Sequence, residues 1–307
     1  MPSSRAPLRP EDYKVACLCP FYLKDALLAM LDKTYPPFIG RGGNNYALGR
    51  MGRHNIVITT TPETGTISAV SVVLQLLKDF KSIKFGLSVG IGSGMPGEAD
   101  DIRLGDIVVG VSRGIHGGAV QFDKRKLHSG ERFERTGTTN KPPMVLLDAV
   151  NRLRSLHLLE VPNISQIMQE MLIRFPRTRD SGCFHPGVVE DRLFRPGYKH
   201  QIGGTCSGCN AAYLVKRTPR PNTDPQIHYG TIGSSSHTIH DGRARDALKQ
   251  EFGLLCVDKD AAALMNEFPC LAIRGISDYA DSHKNNLWQR YSAAVAAAYV
   301  KKLLSLI

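Results

Sequence analysis

The run from Cys270 to Asp281 places an arginine, a serine and two aspartates directly after an apolar segment. It reads Cys-Leu-Ala-Ile-Arg274-Gly-Ile-Ser277-Asp278-Tyr-Ala-Asp281, and its apolar half predicts a buried strand. Ligands of open α/β sheets bind just beyond the carboxyl ends of strands, so Asp278 stands where reacting groups are usually found. A carboxyl group there could exchange a proton with a ligand. The alternative is an ordinary N-cap that only accepts hydrogen bonds from a following helix.

A glycine-rich segment follows a second predicted strand. The apolar run 85–91 leads into Gly92-Ser93-Gly94, and Gly90 lies just before it. Because these glycines have no side chain, the backbone beside Ser93 can approach a flat base or an anion closely. The alternative is a tight turn that binds no ligand.

The elements around these segments alternate between strands and helices. Strands are predicted at 13–19, 45–51, 55–61, 85–91, 107–111, 227–232 and 270–277, and helices at 24–33, 65–80, 142–156, 243–252, 260–268 and 288–306. Such alternation predicts a mostly parallel sheet covered by helices on both faces. We expect a flexible tail over residues 1–12 and one domain over 13–307, with an irregular insertion from about 160 to 225.

Composition limits the kind of protein. With 307 residues and 42% hydrophobic content the chain can bury a large core, and no apolar run reaches the roughly 18 residues of a membrane span. The charge of +11 is scattered along the chain, which indicates an anionic small ligand rather than nucleic acid. Seven cysteines, several in strand-like runs, indicate reduced thiols. We expect a soluble, cytoplasmic protein that binds no membrane.

Taken together, these stretches resemble the purine nucleoside phosphorylase and uridine phosphorylase superfamily, specifically its fungal-type domains, which are related to methylthioadenosine/adenosylhomocysteine nucleosidases. The resemblance extends from about Tyr13 to Ile307 and is carried by the ordered segments 46–55, 85–96, 101–109, 135–137, 140–143, 191–194, 227–230 and 274–284. It implies a single three-layer α/β/α domain around a mixed, mostly parallel sheet. It also implies cleavage of the N-glycosidic bond of a nucleoside, by phosphate or by water.

The resemblance implies a role for each candidate residue. Asp278 matches the acid that protonates the leaving base, and the Gly90 to Gly94 segment, including Ser93, would line the base pocket. Asp260 would accept hydrogen bonds from the ribose. Arg50 or Arg53, and Thr66 at a helix start, lie in segments that hold phosphate in phosphorylases, although each arginine could equally be a solvated surface residue.

Several positions depart from the family pattern. Tyr22 stands where many fungal members have a glutamate that can activate water, and a phenol is a poor base at neutral pH. The Glu-Met-Glu that grips the ribose reads Asp258-Lys259-Asp260, and a lysine facing the pocket would favour an anionic ligand. A Ser-Gly-Asn-Gln-like turn reads Ser234-Ser235-Ser236-His237, where His237 is either an acid–base group or simply solvated.

A possible metal site is the remaining sequence signal. Cys206 and Cys209 have the spacing of half a zinc site, and Cys183, His185 and His200 are near in sequence. One such pair is a weak signal, so we expect no metal and no cofactor, with phosphate only as a possible co-substrate.

Three functions remain open on the sequence. The first is hydrolysis, rather than phosphorolysis, of a purine nucleoside or nucleotide, because the segment after Pro62 is shorter than the phosphate-binding pattern. The second is a recruited fold that acts as a lyase or cyclase on another, anionic substrate. The third is an inactive nucleoside-binding module. In each case we expect a small-molecule ligand and a homo-oligomer.

Overall fold

The structure is a computed structural model, and it describes residues 8–62, 65–123, 125–127, 133–135, 139–160, 163–201 and 205–307. For Thr66, 125–127 and 133–135 only the backbone is described. Most of the expected N-terminal tail and part of the 135–137 motif therefore lie outside the described residues. Within the described ranges, no helix is long and apolar enough to cross a membrane.

The described residues form twelve strands and eight helices. The strands are β1 (Val15–Pro20), β2 (Lys33–Ile39), β3 (Asn45–Met51), β4 (His54–Thr61), β5 (Phe85–Gly94), β6 (Ile107–Gly110), β7 (Ala119–Gln121), β8 (Arg125–Leu127), β9 (Phe133–Arg135), β10 (Ile227–Ser234), β11 (Leu254–Asp258) and β12 (Cys270–Asp278). The helices are α1 (Lys24–Met30), α2 (Thr66–Asp79), α3 (Met144–Leu159), α4 (Ile164–Arg174), α5 (Arg177–Asp180), α6 (Gly242–Phe252), α7 (Ala261–Glu267) and α8 (Gln289–Leu304).

The large sheet is mixed and partly closed. Its strand order is β11-β10-β6-β12-β5-β1-β4-β3-β2, and β7 pairs with β10. The pairs of β1 with β4 and β5, of β10 with β6, β7 and β11, and of β5 with β12 are parallel. β11 also pairs antiparallel with β5, so β11, β10, β6, β12 and β5 form a closed ring. The fold class expected from the sequence is confirmed.

Each face of the sheet packs against helices. Val15 and Cys17 of β1 lie in the core cluster with α1, α3, α4 and α8, whereas Ala16 and Leu18 lie in the cluster with α2 and α7. This alternation follows from the two-residue repeat of a strand, in which successive side chains point to opposite faces. The result is the predicted three-layer arrangement.

Two expectations about local structure were wrong. The Gly92 to Gly94 segment is not a turn: β5 continues through it because Gly92 pairs with β12, and Ser93 and Gly94 pair with β11. The first helix ends at Met30, not at Lys33, and residues 33–39 form the edge strand β2. Prolines 36 and 37 are tolerated there because the register shifts between Tyr35 and Phe38 at the sheet edge.

Candidate active site

A cavity of about 280 Å³ opens at the carboxyl ends of the central strands. β1, β5, β11 and β12 contribute to it, as expected for a ligand site of a parallel sheet. Nine of the residues singled out in the sequence line it: Tyr22, Gly90, Gly92, Ser93, His237, Asp258, Lys259, Asp260 and Asp278. The fold thus brings together segments that are up to 256 positions apart in the chain (278 − 22).

A buried ion cluster forms one side of the cavity. Arg274 projects from the middle of β12, and its Nη2 lies 2.6 Å from Asp258 Oδ2 and 2.8 Å from Asp260 Oδ1. The same guanidinium donates to the Ser88 carbonyl at 2.7 Å and to Ser88 Oγ at 3.0 Å. We call Asp258, Asp260 and Arg274 the diacid side. Its charges have little access to water, so each depends on the others.

The two carboxylates of the diacid side differ in their other contacts. Asp258 accepts from Ser234 Oγ at 2.5 Å and from the Ala261 N–H at 3.1 Å, so it caps α7. Asp260 makes no side-chain cap to that helix and is 8% exposed. Burial raises the pKa of Asp260 to about 6, and the Asp258 charge adds to this against the opposing effect of Arg274. Asp260 therefore has fewer hydrogen bonds to the protein than Asp258, and its raised pKa makes it a candidate to exchange a proton with a ligand.

Ser277, Asp278 and Lys284 form the opposite, acid side of the cavity. Asp278 is 4% exposed, and its Oδ2 lies 3.0 Å from Lys284 Nζ and 3.2 Å from Ser277 Oγ. Its Oδ1 accepts from the Ala280 N–H at 3.0 Å. Because β12 ends at Asp278 and α8 begins only at Gln289, the N-cap alternative is wrong.

The backbone after Asp278 is strained. Ala280 is the one non-glycine with positive φ in the described ranges, at φ 52°. Its N–H bond to Asp278 and its full burial hold this conformation. Strained residues persist where the surrounding structure determines them, and they cluster at functional sites.

Two glycines of β5 lie against the Arg274 side chain. A Cβ atom on Gly92 would lie 3.3 Å from the Arg274 Cβ and 3.2 Å from the Val257 carbonyl. On Gly90 a Cβ would lie 3.4 Å from the Arg274 Cδ. A side chain at position 92 would therefore crowd Arg274 and the β11 backbone, whereas at position 90 the Cβ would be close to ordinary contact distance.

Three lining residues lie nearer the mouth of the cavity. Tyr22 is 46% exposed, and burial, followed by the Asp260 charge, raises the pKa of its phenol. Lys259 is half-buried and is one of the residues that line the cavity, so this lysine does face it. His237 is exposed, and its backbone N–H donates to Ser235 Oγ at 3.0 Å.

Three expected site residues are placed differently, and a fourth, Thr66, is not tested. Gly94 packs against Ile102 and Ile276, and Ser235 is buried behind the His237 turn, so neither lines the cavity. Arg50 is exposed on β3 and also lies outside the lining. Thr66 begins α2, but its side chain lies outside the described residues.

Two charged lining residues were missed as site residues. Arg274 and Lys284 were both part of the C-terminal run, yet neither was assigned a role. A sequence signal existed for Arg274, because a charge inside an apolar strand must find a buried partner. Its partners could not be named, since Asp258 and Asp260 come from another strand end.

The sheet order and the strand-end cavity define an α/β domain of the nucleoside phosphorylase and nucleosidase fold. No protein-family model matches the chain. The crystal structure of 5'-methylthioadenosine/S-adenosylhomocysteine nucleosidase from Helicobacter pylori is similar over 96% of this chain and 99% of its own, with a TM-score of 0.62 and 14% identity. Futalosine hydrolase of the same species has a TM-score of 0.60 and 14% identity, over 96% of this chain and 99% of its own. The resemblance to the purine nucleoside phosphorylase and uridine phosphorylase superfamily is confirmed, and the chain has its fold.

Sequence relatives point in two directions. A nucleotide-binding leucine-rich repeat (NLR)-like protein of Hyaloscypha variabilis is 40% identical over 99% of this chain, which spans only 30% of that protein. A 5'-methylthioadenosine/S-adenosylhomocysteine nucleosidase of Mycobacterium bovis is 32% identical over 127 residues, 40% of this chain and 46% of the relative. The chain therefore spans less than half of either relative.

Proposed function

We propose that this domain cleaves the N-glycosidic bond of a purine nucleoside or nucleotide, with water as the nucleophile. The observation that carries the proposal is one cavity with a nearly buried carboxylate, Asp278, on one side and a carboxyl group of raised pKa, Asp260, on the other. The nucleosidase fold of the domain supports the same chemistry.

The reaction needs two proton transfers, and each is assigned to one aspartate of the cavity. Asp278 gives a proton to the base as the bond between the anomeric carbon and the base nitrogen breaks and its electron pair leaves with the base. Lys284, at 3.0 Å, pairs with the carboxylate that this transfer leaves on Asp278. Water adds its oxygen to the anomeric carbon and loses a proton to Asp260, whose pKa of about 6 suits a base at neutral pH. Solvent exchange then restores both groups.

Water is favoured over phosphate because the expected phosphate ligand Arg50 lies outside the cavity. Tyr22 is not the base in this scheme, because the raised pKa of its phenol keeps it protonated. In this proposal Tyr22 packs beside the ligand and Asp260 takes the proton.

The charges at the cavity favour a nucleotide within the substrate class. Lys259 and Lys284 line the cavity, and His237 and His240 stand at its exposed edge. Ammonium groups attract the phosphate of a nucleotide, and imidazole N–H groups can donate hydrogen bonds to its oxygens. We therefore expect a nucleotide to be a better substrate than the matching nucleoside.

The test is release of free base. The protein is incubated with adenosine, inosine, methylthioadenosine, AMP and ATP, with and without phosphate, and free base is measured by chromatography. We expect phosphate-independent release that falls about 100-fold or more in Asp278→Asn and in Asp260→Asn. Asp148→Asn, at an exposed aspartate of α3, serves as the matched control. Release that requires phosphate would overturn the choice of water, and unchanged release in Asp278→Asn would overturn the acid.

A second candidate is a nucleoside-binding module that performs no cleavage. It is favoured by Tyr22 at the position of the family glutamate and by the match to part of an NLR-like protein. Calorimetric titration separates the two functions: binding of a nucleotide without release of base would support the module and contradict the enzyme.

A further inference from the structure

Two cysteines and two histidines from distant parts of the chain meet beside the loop that follows β12. Cys206, Cys209 and His200 come from the insertion, and His283 comes from the loop itself. Ligand atoms of His200, Cys209 and His283 lie within 4.8 Å of one another, and Cys206, which is not in that group of three, has its Sγ 3.8 Å from His200 Nδ1. This cluster is separate from the cavity described above, because none of the four residues lines it.

The distances within the cluster match a tetrahedral metal site. His200 Nδ1 lies 3.3 Å from Cys209 Sγ and 3.8 Å from Cys206 Sγ. Zinc–sulfur and zinc–nitrogen bonds of about 2.3 and 2.0 Å place neighbouring tetrahedral ligand atoms about 3.5 Å apart. The side chains thus stand near the separation that a zinc ion would impose.

An independent observation is that the buried ring nitrogens of His283 lack hydrogen-bond partners. The residue is 6% exposed, and neither ring nitrogen has a hydrogen bond. The ring is held by stacking on Phe194, with centroids 4.0 Å apart. A buried imidazole without partners is costly, and a metal would use one of its nitrogens. Asp281 Oδ1 lies 3.6 Å from Nδ1, which is too far for a hydrogen bond.

We propose that Cys206, Cys209, His200 and His283 form a structural Zn²⁺ site. Two thiolates and two neutral imidazoles balance the charge of the ion, so the occupied site is neutral. Binding releases the two thiol protons to solvent. All four positions around the metal are taken by protein, which is typical of a structural rather than a catalytic zinc.

The proposed site would connect two parts of the chain. His283 lies five residues after Asp278 and next to Lys284, while the other three ligands lie in the insertion. Zinc would therefore fasten the insertion to the loop that carries the acid side. The sequence alone did not point to His283, because it lies 74 positions after Cys209, the nearer of the two proposed cysteine ligands (283 − 209).

The experiment measures metal directly, in the full chain. Protein purified without chelator is analysed by mass spectrometry for metals, and chelator-treated protein is titrated with Zn²⁺ or Co²⁺. We expect about one zinc per chain, and Co²⁺ absorption with thiolate charge-transfer bands and the intense visible bands of tetrahedral cobalt.

Variants assign the ligands. Cys206→Ser with Cys209→Ser should lose the metal and the cobalt spectrum, whereas Cys183→Ser, a thiol of the insertion that contacts Ser181, should keep both. His200→Cys should still bind Co²⁺, with stronger thiolate charge-transfer bands because a third sulfur replaces a nitrogen. This gain keeps the test informative if the double variant fails to fold.

Several results would overturn the site. They are no metal in the purified protein together with no Co²⁺ uptake, a cobalt spectrum that the cysteine variants leave unchanged, or a disulfide between Cys206 and Cys209 in protein purified under reducing conditions.

Discussion

The two sides of the cavity hold their carboxylates in different ways. On the acid side, Asp278 pairs with Lys284, a lysine whose side chain is 30% exposed. On the diacid side, Asp258 and Asp260 share Arg274, whose side chain is 3% exposed. The cation of the acid side is thus partly exposed to solvent, whereas the cation of the diacid side is buried.

The burial of Arg274 also affects the pKa values on the diacid side. Burial alone would lower the pKa of Arg274, but Asp258 and Asp260 raise it above its usual value, so the guanidinium stays charged. The same burial raises the pKa of Asp260. On the diacid side, the buried Arg274 therefore stays charged beside a carboxyl group of raised pKa, Asp260. On the acid side, the partly exposed Lys284 pairs with Asp278.

The largest expected effect is loss of the buried cation. Arg274→Met leaves Asp258 and Asp260 without their partner, and we expect the free energy of unfolding to fall by about 3–5 kcal/mol. Urea denaturation measures it, with the exposed Arg50→Met, expected within about 0.5 kcal/mol of the parent, as the control. Adding Asp258→Asn and Asp260→Asn to Arg274→Met should recover part of the loss. No recovery would mean that packing, rather than charge, dominates this side.

The next effect is the pH dependence that Asp260 adds. Its pKa is about 6 in the folded protein against the ordinary value of 3.8 for an aspartate, so between these values the folded state holds a proton that the unfolded state has lost. Its contribution to stability is full below about pH 4 and declines as pH rises to about 6, by about 3 kcal/mol. Urea denaturation from pH 4 to 7 should show this decline in the parent relative to Asp260→Asn. Parallel profiles for the two proteins would contradict the raised pKa.

A smaller effect is expected at Lys284 on the acid side. Lys284→Met should change the free energy of unfolding by less than about 1 kcal/mol, because a partly exposed ion pair contributes little. Base release should nevertheless fall about 10-fold in kcat with KM nearly unchanged, since the cation that stabilises the Asp278 carboxylate after proton transfer is lost. Lys284→Arg keeps a positive charge, so a loss in that variant as large as in Lys284→Met would argue against this role of the charge.

The smallest effect is expected at Tyr22. Tyr22→Phe removes only the hydroxyl group of a half-exposed phenol that stays protonated at neutral pH, so kcat for base release should change less than about 3-fold. A loss of 100-fold would transfer the role of base from Asp260 to Tyr22.

Much of the fold could be predicted because its signals are local. The periodicity of apolar residues gave the central strands and long helices, and the alternation gave the three layers. β11 was missed because its five residues lie between two predicted helices. The apparent turn at Gly92 to Gly94 became strand because β11 and β12 supply hydrogen-bonding partners from elsewhere in the chain.

Part of the site could also be predicted from the sequence. Asp278, Asp260 and Lys259 could be identified because each stands beside the end of a predicted strand or start of a helix, and the cavity includes all three. Arg50 and Gly94 were placed in the site by motif alone, and the sheet directs them elsewhere. The roles assigned to these residues remain predictions.

By itself the sequence determined the kind of domain and its strand-end location for a ligand, because hydrophobic periodicity and strand ends are written in consecutive residues. Only the tertiary structure decided which charges meet. It joined Arg274 to Asp258 and Asp260, Lys284 to Asp278, and His283 to two cysteines of the insertion. Coulombic and coordination energies depend on distances of a few ångströms, and those distances are set by how distant segments pack.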